Sequence, residues 1–267
     1  MNLPKSARAE YRVQARNLSH ASENRIHDDD VARRFGFQGA LVPGVEVYAY
    51  MTHLPVERWG VDWLTRGTAE CRFMKPVYDG KLVIASADEE SGALRIVVDS
   101  EGERCATGGA ALPQQTLASS AVPEAAPIPA PDARPEPDET TLAVGCRLSS
   151  HPLHLTREKH EQYLADIRET ETLYAREQIV HPSWMLRLSN SALKDNVRLA
   201  AWIHTGSAIR HCAIARVGST LAAHAVVKAN YERKGHRLVD LDVVVVADAE
   251  RVVAQVQHTA IYRLRPA

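Results

Sequence analysis

The sequence predicts an α+β fold built twice in one chain: two antiparallel sheets, each wrapped around a central helix, pairing edge to edge into one continuous sheet. Three observations lead there. Apolar residues alternate in short runs separated by tight-turn pairs, the pattern of antiparallel strands. An apolar helical segment precedes the strand runs in each half. The halves also match one another: "RGTAECRFMKPVYDGKL" from Arg66 lies on "TGSAIRHCAIARVGSTL" from Thr205 without a gap, Gly67 on Gly206 and Leu82 on Leu221, and "LVPG" at Leu41 falls on "IVHP" at Ile179.

Between the halves, residues 118–141 hold six prolines and no aromatic residue. Proline has no amide proton and a fixed φ, so this segment is neither helix nor central strand, and it reads as an extended tether of polyproline character. Residues 1–117 then form a first domain and 142–267 a second.

Along the first half, "AEYRVQARNLS" alternates as a strand. Asp28 to Asp30 before "VARRFGF" supply an N-cap and an acidic first turn. "PGVEVYAYMTHLPVERWG" is the main helix, apolar at Val45, Val47, Tyr48, Met51 and Leu54; its β-branched and aromatic residues lower its propensity, so burial must hold it. "TAECRFMKPVYDGKLVIASADEE", "ALRIVVDSEG" and "ERCATGGAALP" are strands, with a hairpin turn at Ser91-Gly92. In the second half, "HLTREKHEQYLADIRE" is a helix capped by Thr156, and "IVHPSWMLRLSNSAL" is an apolar helix that starts through a proline. Strands follow, with a turn at Lys234-Gly235. The last one sets Val252, Ala254, Val256, Ala260, Tyr262 and Leu264 on one face against Gln255, Gln257, Thr259 and Arg263 on the other.

The charge is balanced, 32 basic against 33 acidic residues, so nothing in it favours nucleic acid or an anionic membrane as partner. No apolar run approaches the ~20 residues of a membrane span, and no apolar leader opens the chain. Cys71, Cys105, Cys146 and Cys212 are scattered, as reduced thiols of a cytoplasmic protein are, and form neither a disulfide frame nor a metal site.

The most informative stretch is "ENRIHDDDVARRFGFQGALVPGVEVY". It resembles the MaoC-like (R)-specific enoyl-CoA hydratases and dehydratases of the hotdog fold, whose signature D-x-N-P-x-H-x-D is followed by an alanine, a GF-like pair and a P-x-x-H-G start to the central helix. Asn24, His27, Asp29, Ala32, Gly36-Phe37 and Gly44 match that pattern, and "FMKPVYDGKLV" is similar to the family's PV-x-x-GD-x-L strand. The resemblance covers the first half and reaches the second as a degenerate copy. It implies a double hotdog that acts on an acyl-CoA or acyl-carrier thioester as a lyase of fatty acid metabolism, with no cofactor and with dimers of double-hotdog chains as the expected assembly.

Carried over, His27 is the proton-transfer residue, Gly44 N–H the donor to the thioester oxygen, and Asn24 the group that orients them. Three positions depart from the signature. The catalytic aspartate is replaced by Ser22, the proline after the asparagine by Arg25, and the histidine before the helix glycine by Pro43. Glu23, one residue out of register, is then the stand-in carboxylate. Arg25 either binds an anionic part of the substrate or pairs with a neighbouring aspartate. Val45 and Trp184, at the two helix starts, line the acyl site, with Met185 beside Trp184.

Two rival readings go with these residues. Glu46, two residues past the helix glycine, is placed like the base or nucleophile of a hotdog thioesterase, although a carboxylate in the first turn is also favoured by the helix dipole. Ser22 can instead mark a catalytically silent acyl-thioester binder. The remaining histidines have plainer expectations: His53 a helix C-terminal cation, His181 a polar cap or a residue facing an acyl tunnel, His151 and His154 no metal pair, and His204, His211, His224 and His258 interface or satisfied core histidines. Tyr48, Tyr50, Trp184 and Trp202 read most simply as core.

Overall fold

A computed structural model describes residues 8–19, 24–115, 118 and 120–265. In the first half these form β1 (Ala9–Gln14), α1 (Asp29–Arg34), α2 (Gly44–Arg66), β2 (Thr68–Phe73), β3 (Leu82–Glu90), β4 (Ala93–Ser100) and β5 (Glu103–Ala111). The second half holds β6 (Arg147–Ser149), β7 (Leu153–His154), α3 (Arg157–Asp166), α4 (Leu173–Glu177), α5 (Ser183–Lys194), β8 (Ile203–His211), β9 (Thr220–Arg233), β10 (His236–Ala247) and β11 (Arg251–Arg263).

The strands make one antiparallel sheet in the order β1-β3-β4-β5-β2-β8-β11-β10-β9-β6, with β7 also on β9. The order reads as the same five-strand pattern outward from the central β2–β8 pair. That seam runs from Thr68 opposite Arg210 to Arg72 opposite Gly206. A side chain at Gly206 would have its Cβ 2.7 Å from the Cys71 carbonyl, so the seam closes because that residue has none. The α+β expectation of two curled sheets joined into one holds.

Local chemistry explains the elements. The hairpins turn at Ser91-Gly92, Glu101-Gly102 and Lys234-Gly235, each with two positive φ angles, the geometry that matches strand twist. Asp28 caps α1 by accepting from the amides of Asp30 and Val31, and Thr156 caps α3 by accepting from Lys159 N. α2 is buried on nearly all sides, with Val45, Val47, Tyr48, Tyr50, Met51 and Leu54 inside one core shared by both halves. Its end differs from the sequence reading, which stops at Gly60. The helix bends there, Gly60 taking φ +56°, and resumes to Arg66.

The repeat register also differs by one residue. Gly80 donates to Ala15 O and Gly218 to Leu155 O, and both glycines have left-handed φ. They are equivalent, whereas the gapless alignment sets Gly80 on Ser219. Residue identities in the strands favoured that alignment; the backbone need for a glycine in the turn decides otherwise.

Among its described residues the proline-rich segment carries no strand and has a short 3-10 turn at Pro131–Ala133. It is pinned as it runs: Arg210 donates to Ala118 O, Gln255 to Ser120 Oγ, Ser149 Oγ accepts from Ala126 N, and Arg134 reaches Lys194 O.

Candidate active site

Between the start of α2 and one face of α5 lies a cavity of about 620 Å³. Its walls come from both halves: Asn24, His27, Pro43, Gly44 and Val45 on one side, Arg187, Asn190, Trp202 and His204 on the other, with Phe73 between.

His27 ends a 3-10 turn (Arg25–His27) and is 8 % exposed. Its Nδ1 lies 2.7 Å from the Leu41 carbonyl, which only accepts, so Nδ1 carries the proton and Nε2 is the basic nitrogen. Asn24 approaches Nε2 through its amide nitrogen at 3.3 Å. The same nitrogen donates to Trp202 O at 3.0 Å while Asn24 Oδ1 accepts from Trp202 N and Ile26 N, so two backbone groups of the second half fix which way the amide faces. Behind the ring, Asn17 donates to the His27 carbonyl. The backbone of Trp202 thus anchors the site, although the sequence reading treats this residue as core alone.

Gly44 is the first residue of α2. Pro43 O accepts from Glu46 N and Val47 N, so the amides of Gly44 and Val45 precede the helical ladder at the positive end of the macrodipole. A Cβ on Gly44 would lie 2.8 Å from the Phe73 ring and 3.2 Å from His204 Nδ1. Gly44→Ala is therefore expected to push Phe73 and His204 out of place. Its thermal denaturation should show a cost of about 1–3 kcal/mol from overpacking.

Glu46 is fully buried and its Oε1 accepts from Arg187 of α5. The Arg187 guanidinium lies over the adjoining rings of Tyr163 and Trp184, 5.3 and 5.4 Å from their centroids. Burial pushes the Glu46 carboxyl above the usual carboxylate range, against the pull of Arg187. Glu46 is absent from the cavity wall, while Arg187 is part of it. Val45 lines the cavity as expected. Trp184 and Met185 do not; from that helix Arg187, Asn190, Ser191 and Lys194 do, and they share one helical face. Ser22 and Glu23 lie outside the described residues, and so does the side chain of Arg25.

At the matching place in the second half the polar side chains are closed in on one another. His181 and His160 are buried, His160 Nε2 accepting from His181 N and His181 Nδ1 meeting Ser183 Oγ at 2.8 Å. Tyr163 OH closes on Ser183 Oγ at 2.6 Å. Glu169 joins His53 at 2.7 Å and His181 at 3.6 Å. Burial alone would raise the Glu169 carboxyl, but the hydrogen bonds from the two histidines hold it well below the usual range. His53 is not a helix C-terminal cation: it sits in the middle of α2, stacked on Tyr11 at 3.8 Å. Among the described residues no group of His, Cys, Asp or Glu could hold a metal ion, and no helix is long and apolar enough to cross a membrane.

The strand histidines depart furthest from expectation. A β-bulge at Thr205, where Thr259 faces Gly206 and Ala260 faces His204, shifts the alternation of β8. His204 therefore turns inward together with Ser207 and His211. Nδ1 of His204, Nε2 of His211 and Nε2 of His258 have no hydrogen-bond partner, so these are not satisfied core histidines. His204 is a wall of the cavity.

No family model and no curated protein matches the sequence. Solved structures do match over nearly the whole chain. A conserved hypothetical protein from Mycobacterium tuberculosis with a double hotdog fold is 14 % identical, with 97 % of this chain and 96 % of that one covered at a TM-score of 0.67. A putative MaoC domain protein dehydratase from Chloroflexus aurantiacus is 13 % identical, covers 95 % and 93 %, and has a TM-score of 0.62. An N-terminal dehydratase from the difficidin assembly line is 10 % identical, covers 98 % and 95 %, and has a TM-score of 0.53. The fold is the double hotdog, shared with MaoC-like dehydratases.

Proposed function

We propose that this double-hotdog chain is a hydratase or dehydratase of acyl-CoA or acyl-carrier thioesters, adding water to a 2-enoyl thioester or removing it from the 3-hydroxy form. The observation that carries the reading is the 2.7 Å contact of His27 Nδ1 with Leu41 O: Nδ1–H donates to that carbonyl, which leaves Nε2 as the basic nitrogen of a residue lining the cavity that begins at Gly44.

In the hydration direction water displaces the Asn24 amide from His27 Nε2, which takes a proton from it as the water oxygen bonds C3. The π electrons pass to the thioester oxygen, where the Gly44 amide and the helix dipole stabilise the enolate. C2 then takes a proton from the Glu23 carboxyl, the thioester carbonyl re-forms, and the proton held on His27 returns to Glu23. Glu23, next to Asn24 in sequence, serves as the second acid–base group in place of the aspartate that Ser22 replaces. Fold-level likeness to two dehydratases supports the reaction class.

The thioesterase reading is weaker here, because Glu46 is locked to Arg187 behind the cavity wall. The test follows loss of the conjugated enoyl absorbance with crotonyl-CoA and a longer trans-2-enoyl-CoA, with a thiol reagent in parallel. Enoyl loss without free thiol is the expected result, and Glu23→Gln should lower it while the protein stays folded. Thiol release that vanishes in Glu46→Gln would replace the proposal by hydrolysis. Neither signal would leave an acyl-thioester binder.

A further inference from the structure

Three groups of the second half form a chain that ends in the cavity. His204 Nε2 lies 2.9 Å from Ser207 Oγ, and Ser207 Oγ lies 2.9 Å from His258 Nδ1. The two imidazoles overlap at 4.3 Å between centroids. His204 is 6 % exposed and His258 1 %, and the outer nitrogen of each has no partner in the protein. For His258 that nitrogen is Nε2, and it is buried. For His204 it is Nδ1, the atom 3.2 Å from where a Gly44 Cβ would stand, beside the start of α2. The Phe73 ring meets His204 edge-on at 4.9 Å and helps to hold it there.

We infer that the His204–Ser207–His258 chain holds His204 Nδ1–H, covered in this structure by the start of α2 and the Phe73 ring, as a second hydrogen-bond donor that reaches the thioester carbonyl beside the Gly44 amide when that ring turns aside; this rests on the acyl-thioester reading above. The direction of the chain follows from burial. A buried N–H without an acceptor is rarer and costlier than a bare acceptor. His258 therefore leaves Nε2 bare and donates from Nδ1 to Ser207 Oγ. Ser207 donates to His204 Nε2, and His204 is left with its proton on Nδ1, the one buried donor for which the cavity ligand is the acceptor.

Burial, with His258 as neighbour, holds His204 well below its ordinary value, and burial brings His258 down to about 3, so both rings are neutral at pH 7. A neutral imidazole polarises a carbonyl without giving up its proton. The role complements that of His27: one histidine handles the proton of water, the other the charge that develops on oxygen. It also gives the second half a share in the chemistry, where the sequence suggests only a structural part.

The test uses butyryl-CoA carrying a 13C-labelled carbonyl, which binds as a thioester but has no enoyl bond to hydrate. Isotope-edited infrared difference spectra read the carbonyl stretch of the bound ligand. The expected result is a downward shift on the wild-type protein that largely disappears in His204→Phe, while affinity changes less than ~10-fold. His258→Leu keeps His204 but cuts the chain, so it should lose part of the shift, and it serves if His204→Phe does not fold. With enoyl-CoA, His204→Phe should lower kcat by about 10²-fold, as loss of one oxyanion donor does, with KM little changed. A shift that persists in His204→Phe and His258→Leu overturns the inference, and so does butyryl-CoA that binds the wild-type protein unshifted; both leave the acyl-thioester reading standing. Failure of butyryl-CoA to bind the wild-type protein overturns that reading and the inference with it.

Discussion

Between pH 6.5 and 5 the protein is expected to lose most of its stability. His160 and His211 are brought down to about 4 by burial and His258 to about 3, and burial with the neighbouring His258 holds His204 well below its ordinary value. A histidine with a depressed folded pKa binds its proton only when the chain unfolds. Its contribution is therefore complete above the unfolded value near 6.5 and is lost as pH falls toward the folded value. Each group costs about 1.4 kcal/mol per pH unit in that window, hence roughly 2 kcal/mol by pH 5. His160, His211 and His258 together come within the roughly 5–15 kcal/mol that holds a domain folded, and His204 acts in the same direction. Below about pH 4.5 Glu169 adds to the loss, since its folded carboxyl lies lower than its unfolded one. Urea titrations at half-unit steps of pH read this as a midpoint that falls steeply below pH 6.5. His211→Phe, which keeps the edge contact to Trp63 available, should flatten the slope by about one proton's worth. A midpoint that is level from pH 7 to 5 would show that the buried rings are not held neutral.

The largest effect on activity is expected at His27. His27→Gln keeps a polar side chain of similar reach but no base, so kcat should fall by about 10²–10⁴, the usual worth of a positioned acid–base group. That is roughly 3–5 kcal/mol in the barrier. The melting temperature should move little, because the glutamine amide can still donate to Leu41 O as Nδ1–H does now. Rate and melting curves measured on the same preparation separate the two. A variant that melts normally and turns over within ~10-fold of the wild type would remove His27 from the chemistry.

Local signals were legible in the sequence because local physics writes them. The period-two strands, the paired positive-φ hairpin turns and the caps at Asp28 and Thr156 each depend on a few neighbouring residues. The helix bend at Gly60 was not, since a glycine after a long apolar run signals an end as readily as a kink. Nor was α4, whose five residues are too few to show a period.

In the site, His27, Asn24, Gly44 and Val45 were named from the motif and do line one cavity. His204 and Arg187 were missed. Alternation along β8 points to the wrong parity because the bulge at Thr205 shows only in the pairing with β11. Arg187 reads as a surface residue until α5 is laid against α2.

The β2–β8 seam has a practical consequence. Its two strands belong to one chain, so the cavity walls supplied by the two halves meet at an effective concentration on the order of millimolar, set by the connecting segment. Assembly of the site is then unimolecular. Specific activity should be the same at nanomolar and micromolar protein, where a pocket shared between two separate subunits would be lost on dilution.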